Sequence, residues 1–114
     1  MKMDNQDKVE KAKEEYEKKR NYFAELAKEK KLPAARSLTR NERKELDAAN
    51  LNFFKIKSGD PRNVFEIKDE MFDWMAEHIF KDFKFDSTLP NNVCVSFADF
   101  VFGMTYRDDF AEKN

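Results

Sequence analysis

The sequence predicts an all-α fold: a small helical domain of three main helices with an N-terminal charged helical extension. Composition supplies the first two observations. Only two Gly and three Pro occur in 114 residues, which leaves a sheet without turn residues. Charged side chains make up 39% and hydrophobic ones 40%, a mixture suited to helices with one apolar face. The third observation is spacing, since in three long segments the apolar residues recur at helical intervals. A chain of this length can bury one core and is too short for two ordinary ones. Its expected division is a charged helical extension over 1–32, a helical domain over 37–107 and a frayed tail over 108–114.

Residues 4–31 lack Gly and Pro and place Val9, Tyr16 and Phe23 at one heptad position, with Ala12 and Leu26 at the other. Lys19 interrupts the second series, so the seam is thin. A solvated helix resting one face on the domain is expected rather than a self-associating coiled coil. Leu32 and Pro33 end it, because the residue before Pro is driven out of the α region, and residues 33–37 form a linker.

Thr39 and Glu42 have the T-x-x-E spacing of a capping box, in which each side chain satisfies a backbone donor of the other. A short helix from Arg40 to about Asn50 follows. It leads into Leu51, Phe53, Phe54 and Ile56, a cluster expected to plug the core.

The stretch from Asp60 to Phe85 reads as the central helix. On it Val64, Ile67, Met71, Trp74, Met75, His78 and Ile79 fall on one side, and Glu66, Asp69, Glu70, Asp73 and Glu77 on the other. Asp60 is expected to cap it, with Pro61 at the first helical position. Trp74, on the apolar stripe, is expected to be largely buried.

Asp86 to Asn92 reads as loop, and Leu89 with Pro90 opens a last helix running to about Tyr106. Val93, Phe97, Phe100, Val101 and Met104 share its core face. Val95, Phe102 and Tyr106, spaced i, i+7 and i+11, fall on the opposite face with Asp99 among them. A helix apolar on two sides is sandwiched within its own domain or uses its second side for a partner, and in so small a domain a partner is expected. Gly103 is expected to permit close backbone approach.

Net charge is −1, but residues 1–59 carry 16 basic against 11 acidic side chains and residues 60–114 carry 6 against 12, so the halves stand near +5 and −6. Such polarity can steer a charged partner or stack protomers head to tail. The basic run Lys18, Lys19, Arg20 is interleaved with glutamates, and Arg40 to Lys44 contains Glu42, so nucleic acid is not an expected partner. Cys94 is the only cysteine, lies between Val93 and Val95 and reads as a buried structural thiol in a reducing compartment. With no stretch of the ~20 apolar residues a span requires, a soluble cytoplasmic protein without a membrane partner is expected.

Chemistry is not legible. There is no Gly-rich phosphate loop, no Ser or Cys nucleophile beside a base, and no zinc spacing. No catalytic, cofactor-binding or metal-ligating residue is assigned, and the protein is not expected to be an enzyme. His78 adjoins the acidic row, but a di-metal carboxylate site would need Glu-x-x-His pairs and matching acids on other helices. Instead His78 reads as an interior or boundary histidine and the acids as a solvated face.

Two stretches together resemble the tail assembly chaperones of long-tailed bacteriophages and prophages. SLTRNERKELDAANLNFFKI is similar to their opening pattern, a capped helix leading to a short apolar segment. DEMFDWMAEHIF, a Pro-containing loop and VSFADFVFGMTY are similar to their paired later helices. The likeness covers about residues 37–107, and the N-terminal charged helix is a departure from it. It implies a small helical chaperone without catalytic residues, acting in virion assembly in the host cytoplasm. It also implies self-association, binding to the tape measure protein, a long helical rod, and recruitment of the tail tube protein around that rod. In that setting Val95, Phe102 and Tyr106 are the expected docking residues. A different reading is a small phage-encoded inhibitor or adaptor that docks on a host protein through Glu66, Asp69, Glu70, Asp73 and Glu77.

Overall fold

The computed structural model describes residues 5–106, and of residues 5–7 and 9 the backbone alone. Among the described residues there are four helices and no strand: α1 (Asn5–Lys28), α2 (Arg40–Ala48), α3 (Val64–His78) and α4 (Asn91–Thr105). No described helix is long and apolar enough to cross a membrane. The chain divides between Ala34 and Ala35 into two compact units. The tail expected over 108–114 and the Val9 side chain of the heptad seam lie outside the described residues.

In the first unit α1 ends before the expected Pro33 break. Lys31 N–H donates to the Leu26 carbonyl at 2.9 Å and Lys30 N–H to the Ala27 carbonyl at 3.0 Å, a Schellman closure. Lys30 occupies the left-handed position, φ 62°, where glycine would be unstrained. Ala12, one of the heptad positions, is exposed and adds nothing to the seam.

In the second unit the capping box of α2 forms as its spacing predicts. Glu42 N–H donates to Thr39 Oγ1 at 3.2 Å, and Thr39 N–H donates to Glu42 Oε1 at 2.8 Å. Arg36 completes it with two parallel bonds to the Glu42 carboxylate, at 2.8 and 2.9 Å. Residues 37 and 38 are anchored as well: Leu38 N–H donates to Thr105 Oγ1 at 2.9 Å, and Ser37 Oγ to the Met104 carbonyl at 3.4 Å. At the other end Asn50, φ 59°, takes the left-handed position and Leu51 N–H closes onto the Leu46 carbonyl at 3.2 Å. The helix thus stops at Ala48, with Asn50 as its terminator rather than its last residue.

The start of α3 differs from the expectation. Asn63, not Asp60, is the cap, its side chain accepting from Glu66 N–H at 2.9 Å, and Pro61 lies outside the helix. Asp60 is taken by Arg62: its Oδ1 accepts from the Arg62 backbone N–H at 2.9 Å and from Nε at 3.0 Å, and its Oδ2 from Nη2 at 2.7 Å. Arg62 also reaches Glu70 and donates to the Asn50 carbonyl at 2.7 Å, so it ties the end of α2 to the start of α3. The helix ends at His78 instead of running to Phe85. Continued past His78, it would carry Phe80 round to the acidic, solvated side. Breaking there buries Phe80 against Phe97, ring centroids 5.4 Å apart, and lets Phe85 meet Phe72 at 5.2 Å.

The central helix is α4, not α3. Ile67, Met71 and Met75 are the buried residues of α3, whereas α4 buries Cys94, Phe97, Ala98, Phe100, Val101 and Phe102. Phe97 and Val101 are fully enclosed, together with Leu46 of α2 and Met71 and Met75 of α3. The apolar stripe read for α3 is therefore narrower than expected. Val64 at its first turn is 47% exposed, Trp74 is half-buried and His78 is exposed, stacked on Trp74 with ring centroids 5.1 Å apart. Core-face residues Val93 and Met104 are half-buried. Gly103 does not serve close approach either, because a Cβ placed there would meet no atom within 4 Å.

Urea denaturation of single variants checks this ranking of the core. Phe97→Ala should cost roughly 3–5 kcal/mol, the cost of removing an enclosed aromatic side chain. Trp74→Ala should cost less, since that side chain is already partly solvated. Gly103→Ala should stabilise by about 0.5–1 kcal/mol, because the helix gains propensity and nothing obstructs the methyl group.

Acid titration checks the cap. The Arg36 hydrogen bonds, opposed by burial and joined by the Thr39 N–H, hold the Glu42 carboxyl at about 2, below its ordinary 4.5. A depressed carboxyl contributes stability that is complete above its unfolded-state value and is lost as pH falls through the folded-state one. The melting temperature of Glu42→Gln should therefore lie below that of the parent at neutral pH, and the gap should close as pH falls from 4.5 to about 2.

Candidate functional site

The sequence places three side chains, Val95, Phe102 and Tyr106, on the second face of α4, and what happens to that face depends on the segment that follows α2. The turn at Asn50 sends the chain back over the domain with Leu51 buried, and Asn52 then fixes its course. Asn52 is 3% exposed and fully engaged. Its amide donates to Asp47 Oδ1 at 2.9 Å and to the Tyr106 hydroxyl at 3.2 Å, while its Oδ1 accepts from Phe54 N–H at 3.0 Å. Lys55 N–H donates to its carbonyl at 2.8 Å. A buried amide with its partners in place specifies one conformation, since leaving any of them unmade would cost more than the bond contributes.

That conformation lays Phe53 and Phe54 on Phe102, with ring centroids 4.9 and 5.7 Å away. Phe102 is 2% exposed and belongs to the core, so the expectation that it presents itself to a partner is corrected. Part of the non-helical cluster expected to plug the core, Phe53 with Phe54, does the covering. Tyr106 packs on Phe102 at 4.8 Å and is 41% exposed. Val95 is half-buried and lies elsewhere, in the wall of a groove. The three predicted docking residues therefore do not form one exposed stripe.

An apolar surface does remain, assembled from other residues. The groove runs between α3 and α4, has a volume of about 350 Å³ and is lined by Phe65 and Lys68 of α3 and by Asn91, Asn92, Val95, Ser96 and Asp99 of α4. Phe65 is 77% exposed at its mouth, and Val64 beside it is half in water. Lys68 forms the floor at one end: its ammonium pairs with Asp99 at 3.2 Å and sits 5.0 Å from the centroid of the Phe53 ring. From Phe53 the apolar surface continues to Phe54, 74% exposed, and to Tyr106. Two large aromatic side chains left mostly in water on one unit form the kind of patch that marks an association surface.

The acidic row of α3 is exposed at Glu66, Asp69, Glu70, Asp73 and Glu77. Glu70 is held by Arg62. Burial first, and then repulsion from Asp69, Glu77 and Glu70, pushes the Asp73 carboxyl up. Burial, then Asp69 and Asp73, likewise pushes up the Cys94 thiol, so this buried cysteine is held as a neutral thiol. His78 is exposed rather than interior, at the last turn of α3, with Nδ1 3.0 Å from the Trp74 carbonyl oxygen. Among the described residues no three His, Cys, Asp or Glu side chains converge to hold a metal ion.

Phe65 and Phe54 are the residues that sequence reasoning missed. Phe65 had a signal: at 100° per residue it falls between the buried stripe of α3 and the acidic row, an aromatic residue on neither face. Phe54 had none, because membership of a non-helical apolar cluster gives no orientation. No family model, curated protein or solved structure matches the chain.

The reassignment of Phe102 is checked by a pair of charge insertions. Phe102→Asp places an unpaired carboxylate under Phe53 and Phe54 and should abolish the cooperative thermal transition. Phe65→Asp, at a site already in water, should leave the circular dichroism and the transition close to those of the parent.

Proposed function

We propose that this protein is a phage tail assembly chaperone, which keeps the tape measure protein in solution, associates with itself along that rod and recruits tail tube subunits around it in the host cytoplasm. One observation carries the reading: Phe65 stands in water in the wall of a groove between two helices, the geometry with which a small helical protein takes a partner helix. The likeness of residues 37–107 to that family supplies the identity of the rod, and a second unit built on three helices is compatible with it.

A chaperone of this kind has no use for a catalytic constellation. It needs apolar surface that a folded protomer does not cover for itself, in a protein that stays soluble while that surface is empty. The 23 Asp and Glu and 22 Lys and Arg side chains serve the second requirement, and the groove serves the first. The inhibitor or adaptor reading draws on the acidic row, exposed at every position and, among the described residues, paired with a cation only at Glu70.

Co-expression with an apolar helical fragment of a tape measure protein from the same phage or prophage genome tests the proposal. The fragment should be soluble and co-elute with the parent protein on sizing. Phe65→Asp should weaken that association by roughly 2 kcal/mol or more, the scale of an interface hot spot. A fragment that is equally insoluble with and without the protein overturns the reading. Binding that survives Phe65→Asp and is lost on reversing Asp69 and Asp73 to lysine transfers the interface to the acidic row.

A further inference from the structure

The groove and the acidic row are parts of one surface, because both are carried by α3. Phe65 and Lys68 line the groove, and the residues that follow each of them, Glu66 and Asp69, are exposed acids. Along the helix Asp69 lies about 40° round from Phe65 and Asp73 about 40° further. The α3 rim of the groove is therefore anionic. Among the described residues Glu70 has a cationic partner in Arg62, whereas Glu66, Asp69, Asp73 and Glu77 have none recorded. Lys68 does not offset them, being paired with Asp99. The opposite rim, on α4, contributes Asn91, Asn92 and Ser96, polar and uncharged, and Asp99, whose charge Lys68 offsets.

We infer that the occupant of the groove is an amphipathic helix that inserts an apolar stripe between Phe65 and Val95 and turns a basic flank toward the acidic rim of α3. The inference rests on the docking reading of the groove and adds the chemistry of what docks. Shape selects a helix, since two packed helices leave between them a channel that the ridge of side chains on a third can enter. Size selects side chains, for about 350 Å³ lies near the lower end of small-molecule pockets. Charge selects the flank. Glu66, Asp69, Asp73 and Glu77 stand exposed at helical spacing along one side of α3, and a row of cations laid alongside offsets their mutual repulsion. Because the α4 rim is neutral, the basic residues belong on one flank of the incoming helix, and this one-sidedness fixes its rotation about its own axis.

The test uses the full-length protein and two fluorescein-labelled synthetic helices that share one leucine stripe, one with lysines along a single flank and the other with glutamates there. Fluorescence anisotropy at low salt should show the lysine helix binding at least about tenfold tighter, a difference of ~1.4 kcal/mol, with an advantage that shrinks as salt is added. Phe65→Ala should weaken binding of the lysine helix, and the double change Asp69→Asn with Asp73→Asn should narrow the gap between the two peptides. Equal affinities, no binding of the lysine helix, or binding indifferent to Phe65→Ala would each overturn the inference. So would a concentration-dependent dimer that is lost on Phe65→Ala and excludes the peptide, since the occupant is then a second copy of the chain. The proposed function is separately readable: if neither peptide binds while a co-expressed tape measure fragment stays soluble, the inference fails and the function stands. If the lysine helix binds and that fragment precipitates, the function fails and the inference stands.

Discussion

The buried side chain of Asn52 decides what the rest of this domain can be. A non-helical segment laid over an apolar helix has no ladder of its own to hold it, so its placement requires side-chain hydrogen bonds. Asn52 supplies them, to Asp47 on α2, to Tyr106 at the end of α4 and to the backbone of Phe54. With the segment fixed, Phe53 and Phe54 close over Phe102 and α4 is buried on every side but the one that faces the groove. The domain thereby encloses a helix that three helices alone would leave half bare. The same act leaves the outer ring, Phe54, in water, because one layer of covering residues must face outward.

The helices themselves were legible from the chain. Four helices form in the segments whose spacing indicates them, although α3 is shorter at both ends than expected, and the Thr39 and Glu42 box was readable because both of its partners lie within one turn. Where the reading failed, the missing information was long-range. Asp60 looked like a cap because Pro61 follows it, yet Arg62 claims its carboxylate and holds it at about 2, leaving the capping role to Asn63. Phe80 looked helical because no Gly or Pro separates it from His78, yet only a broken helix brings it to Phe97. The docking residues were misplaced for the same reason. Whether a second apolar face is covered depends on a partner distant in sequence, and the periodicity of α4 cannot say that Phe53 will come to lie on Phe102. Phe65, an aromatic residue between two well-defined faces, was the clearer sequence signal of a docking surface.

The two surfaces that sequence reasoning offered as rivals turn out to share α3. Glu66 to Glu77 is a solvated row, but it borders a groove whose wall is Phe65, so an apolar and an electrostatic contact are available to one and the same partner. Each has its own part in such an encounter. The acids act over the length of the screening layer and bias approach and orientation, whereas displacement of water from Phe65 and Val95 supplies the residence time. Affinity divided in this way can be lowered by altering either component.

The central claim is that the surface left for a partner is the α3–α4 groove and not the second face of α4. Backbone NMR shifts of the labelled protein, recorded before and after addition of a helical partner, test it most directly. The account predicts the largest changes at Phe65, Lys68, Asp69, Val95 and Ser96, with Phe102 and Asn52 nearly unmoved. Changes centred on Phe102, with loss of the Asn52 and Phe54 amide protection, would show that the covering segment lifts to expose α4 and would contradict it.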